Sequence, residues 1–171
     1  MTIFSGWMMP PAMPAVGFAV APNPQDPQPE QWHTFQGSWS AAGRRRMLPT
    51  EGARAAAVVD LSGAMVLTDG TGTSTGFLGE AIGFDDGGSL STGRAVWTDP
   101  QGHRIFSVLL GDSLQTGQRI DGTITGGTGR YAGVMGEYTL TWQYVVSADE
   151  PVVQGRTVDL RGRFRLGARQ R

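Results

Sequence analysis

Acid–base side chains in apolar surroundings are scarce in this chain of 171 residues. Glu80 is the clearest, because it lies within the β-prone segment GFLGEAIGF (76–84). A glutamate that faced a cavity could donate or accept a proton, and Arg94, on the next β-prone segment, could supply a polar contact. The competing interpretation is a Glu80 side chain that faces solvent. Glu80 and Arg94 are therefore the candidate catalytic residues if the chain is an enzyme.

Composition excludes several kinds of chemistry. All 14 basic residues are Arg, and Cys is absent, so Schiff-base lysines, thiol catalysis and thiolate metal sites are impossible. His33 and His103 are the only histidines, and neither has an evident carboxylate partner in the sequence. Since zinc sites usually need three or four protein ligands, we expect no metal, and we expect no cofactor either.

The stretch TGGTGRYAGVMGEY (125–138) contains Gly127-Thr-Gly129-Arg-Tyr-Ala132, which matches the dinucleotide fingerprint G-x-G-x-x-G/A. That motif works only when a helix follows the glycines and directs its N–H groups at the pyrophosphate. Two further glycines, at 133 and 136, and then alternating polar and aromatic residues follow here. The stretch therefore predicts a tight hairpin, with Gly126 to Gly136 reversing the chain between two strands.

Hydrophobic residues recur with period two from residue 31 onward, which indicates β-strands. In MGEYTLTWQYVV, for example, Tyr138, Leu140 and Trp142 share one face. Seven or eight such segments with short connections predict an antiparallel barrel or sandwich in one domain, residues 31–171. The final segment, TVDLRGRFRL (157–166), alternates most clearly, with Val158, Leu160 and Phe164 opposite a stripe of Arg.

Residues 1–30 differ from the rest, being apolar up to residue 21 and then Pro-rich. The apolar part has no basic residue before it and is interrupted by Pro, so we expect neither a cleaved leader nor a membrane-spanning helix. The segment is predicted to be an extended arm, and the protein to be cytoplasmic. A net charge of −1, with no aromatic residues interleaved among the Arg clusters, favours no nucleic-acid partner. The run Arg44–Arg46 is expected in a loop or at a rim.

Aromatic side chains exceed what the plugs of a small barrel require, and an interior that is not filled can hold one small ligand. The competing interpretation is that the rings fill the core or an oligomer interface. The candidate ligand-binding residues are Trp39, Trp97, Phe106, Tyr138, Trp142 and Tyr144.

The segment ITGGTGRYAGVMGEYTLTW resembles the signature hairpin of the allene oxide cyclase–dirigent barrel superfamily. In that family a GGTG or GGAG step is followed by an aromatic residue and an Ala/Gly-x-x-Gly entry into a long strand. GFLGEAIG (76–83), RAVWTDPQGHRIFSVLLGDS (94–113) and TVDLRGRFRL resemble further strands of the family, and the likeness covers roughly residues 55–167.

This resemblance implies an eight-stranded antiparallel, calycin-type β-barrel with an apolar cavity, commonly a trimer, that acts without a redox cofactor. The plant cyclases have an acidic, Asn-containing segment near their first strand, whereas this chain has WHTFQGSWSAAGRRRMLP there, with no acid. No catalytic residue therefore transfers. The expected function is a barrel that binds a small hydrophobic molecule, with or without cofactor-free cyclisation or isomerisation. The alternative is a filled, non-catalytic trimeric barrel that contacts a partner.

Overall fold

A computed structural model shows a closed eight-stranded barrel in which each strand pairs antiparallel with its neighbours and β8 closes onto β1. It describes residues 31–51, 55–88, 90–112, 117–147 and 152–167. The predicted fold class is confirmed. The strands are β1 His33–Leu48, β2 Ala56–Asp69, β3 Ser74–Asp85, β4 Ser91–Thr98, β5 Arg104–Gly111, β6 Arg119–Gly127, β7 Val134–Ser147 and β8 Val152–Leu166.

The alternating pattern of the sequence becomes an inside and an outside. In β3, Phe77 and Ala81 are buried in the interior, while Leu78 and Glu80 between them are exposed on the outer face. Successive side chains of a strand point to opposite faces, so one buried residue sets the orientation of the whole strand. The predicted shared face of β7 is confirmed, and it is the inward one, since Tyr138, Leu140 and Trp142 are all buried.

Glycines on the inner face make room for large rings. A Cβ added at Gly122 would overlap the ring of Tyr138, and one added at Gly155 would lie 2.6 Å from Trp142 Cε2. A Cβ at Gly162 would lie 2.7 Å from Phe35 Cζ. Each ring therefore covers a position on a neighbouring strand that has no side chain. Pairing a glycine on one strand with a large ring on the next fills the narrowing interior of a small barrel.

A β-bulge changes the orientation of β8 midway along its length. Thr157 and Leu160 are both buried although they are three residues apart, and Asp159 between them has φ 54°. The predicted shared face of Val158 and Leu160 is therefore wrong, because an extra residue in a strand reverses the alternation beyond it. Thr157 Oγ1 accepts a 2.8 Å hydrogen bond from the backbone N–H of Trp39, where the β1–β8 register shifts.

The stretch 125–138 is a chain reversal, as predicted. β6 and β7 pair antiparallel, and a three-residue 3₁₀ turn, Gly129–Tyr131, connects them. Positive φ values at Gly126, Gly129 and Gly133 explain the glycines, since other residues rarely adopt this conformation. No long helix follows, so the dinucleotide interpretation fails on its own structural requirement.

Two other expectations concern the first third of the chain. Arg44–Arg46 belong to the last part of β1, so the loop interpretation is wrong, although they do lie near one barrel rim. The predicted arm, residues 1–30, lies outside the described residues. Within the described ranges, no helix is long and apolar enough to cross a membrane.

Candidate functional site: an apolar cavity at the barrel mouth

One end of the barrel is concave and lined by rings. We call this end the mouth; there β1, β3, β5 and β7 begin and β2, β4, β6 and β8 end. Its cavity has a volume of about 120 Å³. The lining side chains come from all eight strands, from the β2–β3 turn and from the 3₁₀ turn: Phe35, Leu67, Asp69, Thr73, Thr75, Phe77, Trp97, Ile105, Ile124, Tyr131, Val134 and Phe164.

The volume and the lining set what the cavity can hold. An apolar cavity of about 150 Å³ in another protein stays dry and binds benzene, so this one is suited to a single ring or a short alkyl group. Its polar side chains, Asp69, Thr73 and Thr75, lie around the β2–β3 turn, near one part of the rim. The arrangement is therefore an apolar floor with a polar edge, which is typical of a small-molecule site.

Ring-to-ring contacts hold the floor in place. Trp97 meets Phe35 at a centroid distance of 6.1 Å and an angle of 81°, and it meets Phe77 at 6.4 Å and 61°. Phe77 also contacts Tyr131 at 6.0 Å. Edge-on and tilted pairs of this kind stabilise an arrangement beyond the area they bury. The cavity walls are therefore preorganised before a ligand enters.

Below the mouth cavity the interior is filled. Trp97 and Tyr138 lie 4.9 Å apart, and Trp39 and Trp142 lie 5.3 Å apart, between ring centroids. The Tyr138 hydroxyl and Ser107 Oγ share a 2.8 Å hydrogen bond. Burial raises the pKa of Tyr138 to about 12, although the Ser107 contact opposes the shift, so this phenol is neutral at physiological pH. The filled middle separates the mouth cavity from the other end of the barrel.

Asp69 organises the β2–β3 turn at the cavity edge. Its Oδ1 accepts hydrogen bonds from the Thr71 hydroxyl at 2.6 Å and from the amides of Thr71 and Thr73 at 2.9 and 3.0 Å. The Thr71 hydroxyl, followed by the Thr73 amide, lowers the pKa of Asp69 below its usual value. The carboxylate is therefore ionised, but its bonds serve the turn.

Asp99 likewise organises the β4–β5 turn, and its side chain also contacts the β6–β7 turn. Its side chain is fully buried, and Oδ1 accepts the amides of Gln101 and His103, each at 2.9 Å. Oδ2 lies 2.7 Å from Arg130 Nη2 and 3.5 Å from His103 Nδ1. Burial would raise the pKa of Asp99, but the two amides, Arg130 and His103 together lower it below its usual value. An ionised carboxylate thus joins the two turns beside the mouth.

The side chains named from sequence fall into three groups. Trp97 lines the cavity; Trp39, Tyr138 and Trp142 are buried in the filled middle; Tyr144 is half-buried nearer the other end, with Arg45 5.8 Å from its ring. Phe106 lies on the outer face, because its neighbours Ile105 and Ser107 are the buried ones.

Glu80 and Arg94 lie outside the barrel. Both are exposed, on outer-face positions of β3 and β4, and Arg94 Nη1 donates to the carbonyl of Gly93 at 2.9 Å. Neither side chain faces the mouth cavity. An interior acid–base role for them gains no support from this placement.

Sequence reasoning missed most of the cavity and the partner of His103. Phe77, Ile105 and Ile124 could have been found by extending each strand's inward alternation to its mouth end. Asp99 lies four residues before His103, and this spacing is the sequence signal that could have indicated a carboxylate–imidazole contact. Among the described residues, no group of three or more His, Asp or Glu is placed to hold a metal ion.

Comparison with known proteins gives little more. No protein-family model matches the chain, and no curated protein matches it. Among solved structures, pyocyanin demethylase is similar, with 14% sequence identity, 72% of this chain and 99% of that chain covered, and a TM-score of 0.42. This likeness is too distant to carry an argument about function.

Proposed function

We propose that this protein is a small-molecule-binding barrel that takes one ring or a short alkyl end of a hydrophobic ligand into the mouth. The observation that supports it is the apolar cavity of about 120 Å³ at an otherwise filled barrel. Typical sites for drug-sized ligands measure about 300–1,000 Å³, so a larger ligand would enter only by its end. The rest of such a ligand would lie at the rim.

A cofactor-free cyclisation or isomerisation is compatible with this mode of binding. Rigid walls that hold a reactive molecule in one conformation lower the entropic part of the activation free energy of its reaction. The resemblance of the Gly126–Gly136 hairpin to that of the allene oxide cyclase–dirigent barrels favours such a role. The cavity, rather than this resemblance, carries the binding proposal.

Calorimetric titration with toluene tests the binding proposal. We expect saturable binding with a dissociation constant of about 1 mM or tighter, which corresponds to at least about 4 kcal/mol. The substitution Thr75→Phe places a ring in the cavity and should abolish binding. Ser74→Phe is the matched control, because Ser74 is the adjacent residue and is exposed. Failure of the wild-type protein to bind, or equal loss in both variants, would contradict the proposal.

A second candidate function is suggested by the outer face of β2–β5. Several large apolar side chains are exposed there although the barrel interior has no place for them: Val58, Val66, Leu78, Ile82, Phe84 and Leu110. A contiguous apolar surface marks an interaction site more often than a solvent-facing one. Glu80 and Arg94 lie among these residues, where they would contact a partner rather than a ligand.

We propose that the partner on this face is a further copy of the chain, and the family resemblance favours a trimer. Sedimentation velocity tests it with Ile82→Glu, a change at a side chain that is 62% exposed and so does not disturb folding. Gln154→Glu, on the exposed side of β8, is the charge-matched control. A monomeric wild-type protein, or an oligomer that survives Ile82→Glu, would contradict this second candidate.

A further inference from the structure

We propose that His103 is a second, polar subsite at the mouth, which accepts a hydrogen bond from a hydroxyl group on the ligand that fills the cavity. The inference rests on the proposed binding function and adds the chemical class of the ligand, a ring compound that carries an O–H group. Five residues carry it: Asp99, Gly129, Arg130, Tyr131 and His103 itself.

Asp99 favours a proton on the nearer nitrogen of His103. Asp99 Oδ2 lies 3.5 Å from His103 Nδ1, and the two buried atoms face each other without a well-aligned hydrogen bond. An ionised carboxylate has only acceptor lone pairs, so a proton on the ring nitrogen that faces it is the favoured arrangement. In the neutral imidazole this leaves Nε2 without a proton and able to accept one hydrogen bond.

Gly129 and Arg130 keep the imidazole in this orientation. A Cβ added at Gly129 would lie 2.7 Å from His103 Nε2, so the ring packs on a position that has no side chain. Gly129 also has φ 57°, where other residues are strained. Arg130 holds Asp99 from the opposite turn through its 2.7 Å ion pair. The imidazole is therefore fixed from two sides, although its side chain remains 37% exposed.

Tyr131 joins this cluster to the cavity. Its ring lines the cavity and meets the His103 ring edge-on at a centroid distance of 6.5 Å. The Arg130 guanidinium lies 4.9 Å from the same ring. His103 does not itself line the cavity, so a ligand would meet it only by extending outward past the Tyr131 ring.

The charges of the cluster select the ligand class. Asp99 and Arg130 neutralise each other, and His103 offers an acceptor at Nε2 when its one ring proton is on Nδ1, so a fixed anion on the ligand then has no unpaired cation to meet here. A neutral O–H donor matches Nε2. A hydroxylated ring is thus favoured over both a carboxylate and an unsubstituted hydrocarbon.

The test compares 4-methylphenol with toluene, which differ only in the hydroxyl group, by calorimetric titration of the full chain. In His103→Phe the ring and its packing are kept but the acceptor is lost. We expect this variant to bind 4-methylphenol about five- to tenfold more weakly than wild type, because the hydroxyl loses its partner. Toluene affinity should change less than about twofold. Gln154→Phe, on the exposed side of β8 at the end opposite the mouth, should leave both affinities unchanged.

Equal effects of His103→Phe on both ligands, or no effect, would overturn the polar subsite while leaving the cavity proposal intact. Absence of toluene binding to wild type would overturn both. The ¹⁵N spectrum of His103 in the wild-type protein provides a check that needs no variant. It should show a protonated Nδ1 and a bare Nε2 whose resonance shifts on addition of 4-methylphenol; a proton on Nε2 would refute the inference.

Discussion

Replacing Gly122 by Ala tests how the barrel interior is packed. Gly122 is buried on β6, its φ is not positive, and an added Cβ would overlap Cζ, Cε1 and Cε2 of Tyr138. The ring cannot retreat easily, because Tyr138 is 3% exposed and its hydroxyl is bonded to Ser107. The single methyl group must therefore displace a fully packed aromatic side chain.

The expected loss follows from two opposing effects. Overpacking a close-packed core costs about 1–3 kcal/mol. Removing a glycine restricts the unfolded chain and returns about 0.4–1 kcal/mol. The net destabilisation should be about 1–2 kcal/mol, which for a chain of this length lowers Tm by about 2–8 °C. Urea unfolding followed by tryptophan fluorescence gives the free energy directly.

Gly76→Ala is the matched control. Gly76 is exposed on β3, its φ is not positive, and nothing lies within 4 Å of an added Cβ. The Gly76→Ala substitution should leave the free energy of unfolding unchanged or raise it. In a Tyr138→Leu background, Gly122→Ala should lower the free energy of unfolding by less, because the ring that the added methyl group would overlap is absent. Equal stabilities for the Gly122 and Gly76 variants, or a cost unaffected by Tyr138→Leu, would refute the ring-over-glycine packing.

Four further outcomes are expected. Tyr138→Phe should destabilise the protein by about 1–2 kcal/mol in urea unfolding, since it leaves Ser107 without its partner, and adding Ser107→Ala should recover part of the loss. Because the folded pKa of Tyr138 is about 12, above the usual value of 10, the unfolded chain loses this proton first. Wild-type stability should therefore fall as pH rises from about 10 to about 12, and less steeply in Tyr138→Phe. The pKa of Asp99 is lowered in the folded state, so its contribution is present at neutral pH and lost below its usual pKa of 3.8. Asp99→Asn should be less stable than wild type at pH 7 and should lose less on acidification. Deletion of residues 1–30 should leave cooperative thermal unfolding and a β-type circular dichroism spectrum, because the strands that close the barrel lie between His33 and Leu166.

The sequence was sufficient for the fold because its information is local. Alternation in β7 identified side chains that share one face, and the glycines of 126–136 identified the turn that joins it to β6. Both depend on backbone geometry within a few residues. Short connections and the absence of helical periodicity predicted seven or eight strands in a barrel or a sandwich, whereas the eight-stranded barrel was implied by the family resemblance.

Which face of each strand points into the barrel was harder to predict than the strands themselves. Glu80 was a candidate cavity residue because its immediate neighbours are apolar, but Leu78, on its own face, is exposed as well. Because the outer face also carries many apolar residues, the alternation of apolar and polar residues does not distinguish the inward face of a strand from its outward face. Phe106, predicted as a ligand-binding residue, lies on the outer face, which the sequence did not show for the same reason, since both faces of β5 are apolar.

Neither the β8 bulge nor the contacts among Asp99, His103 and Arg130 beside the mouth could be predicted from residues that are neighbours in the sequence. Asp159 adopts φ 54° with no glycine to indicate it, so nothing in the segment TVDLRG shows that the alternation reverses there. The pairing of Asp99 with Arg130 joins two turns that lie 31 residues apart in sequence and meet only because the barrel brings them to one end. Such contacts depend on register across several strands, which a single sequence does not state.

The most direct test of the central claim is a crystal structure of the protein soaked with bromobenzene and measured for bromine anomalous scattering. We expect a bromine peak at the mouth, between Phe77, Ile105 and Val134, with the surrounding walls unmoved. Bromine found only on the outer face of β2–β5, or none bound at all, would contradict a ligand-binding mouth.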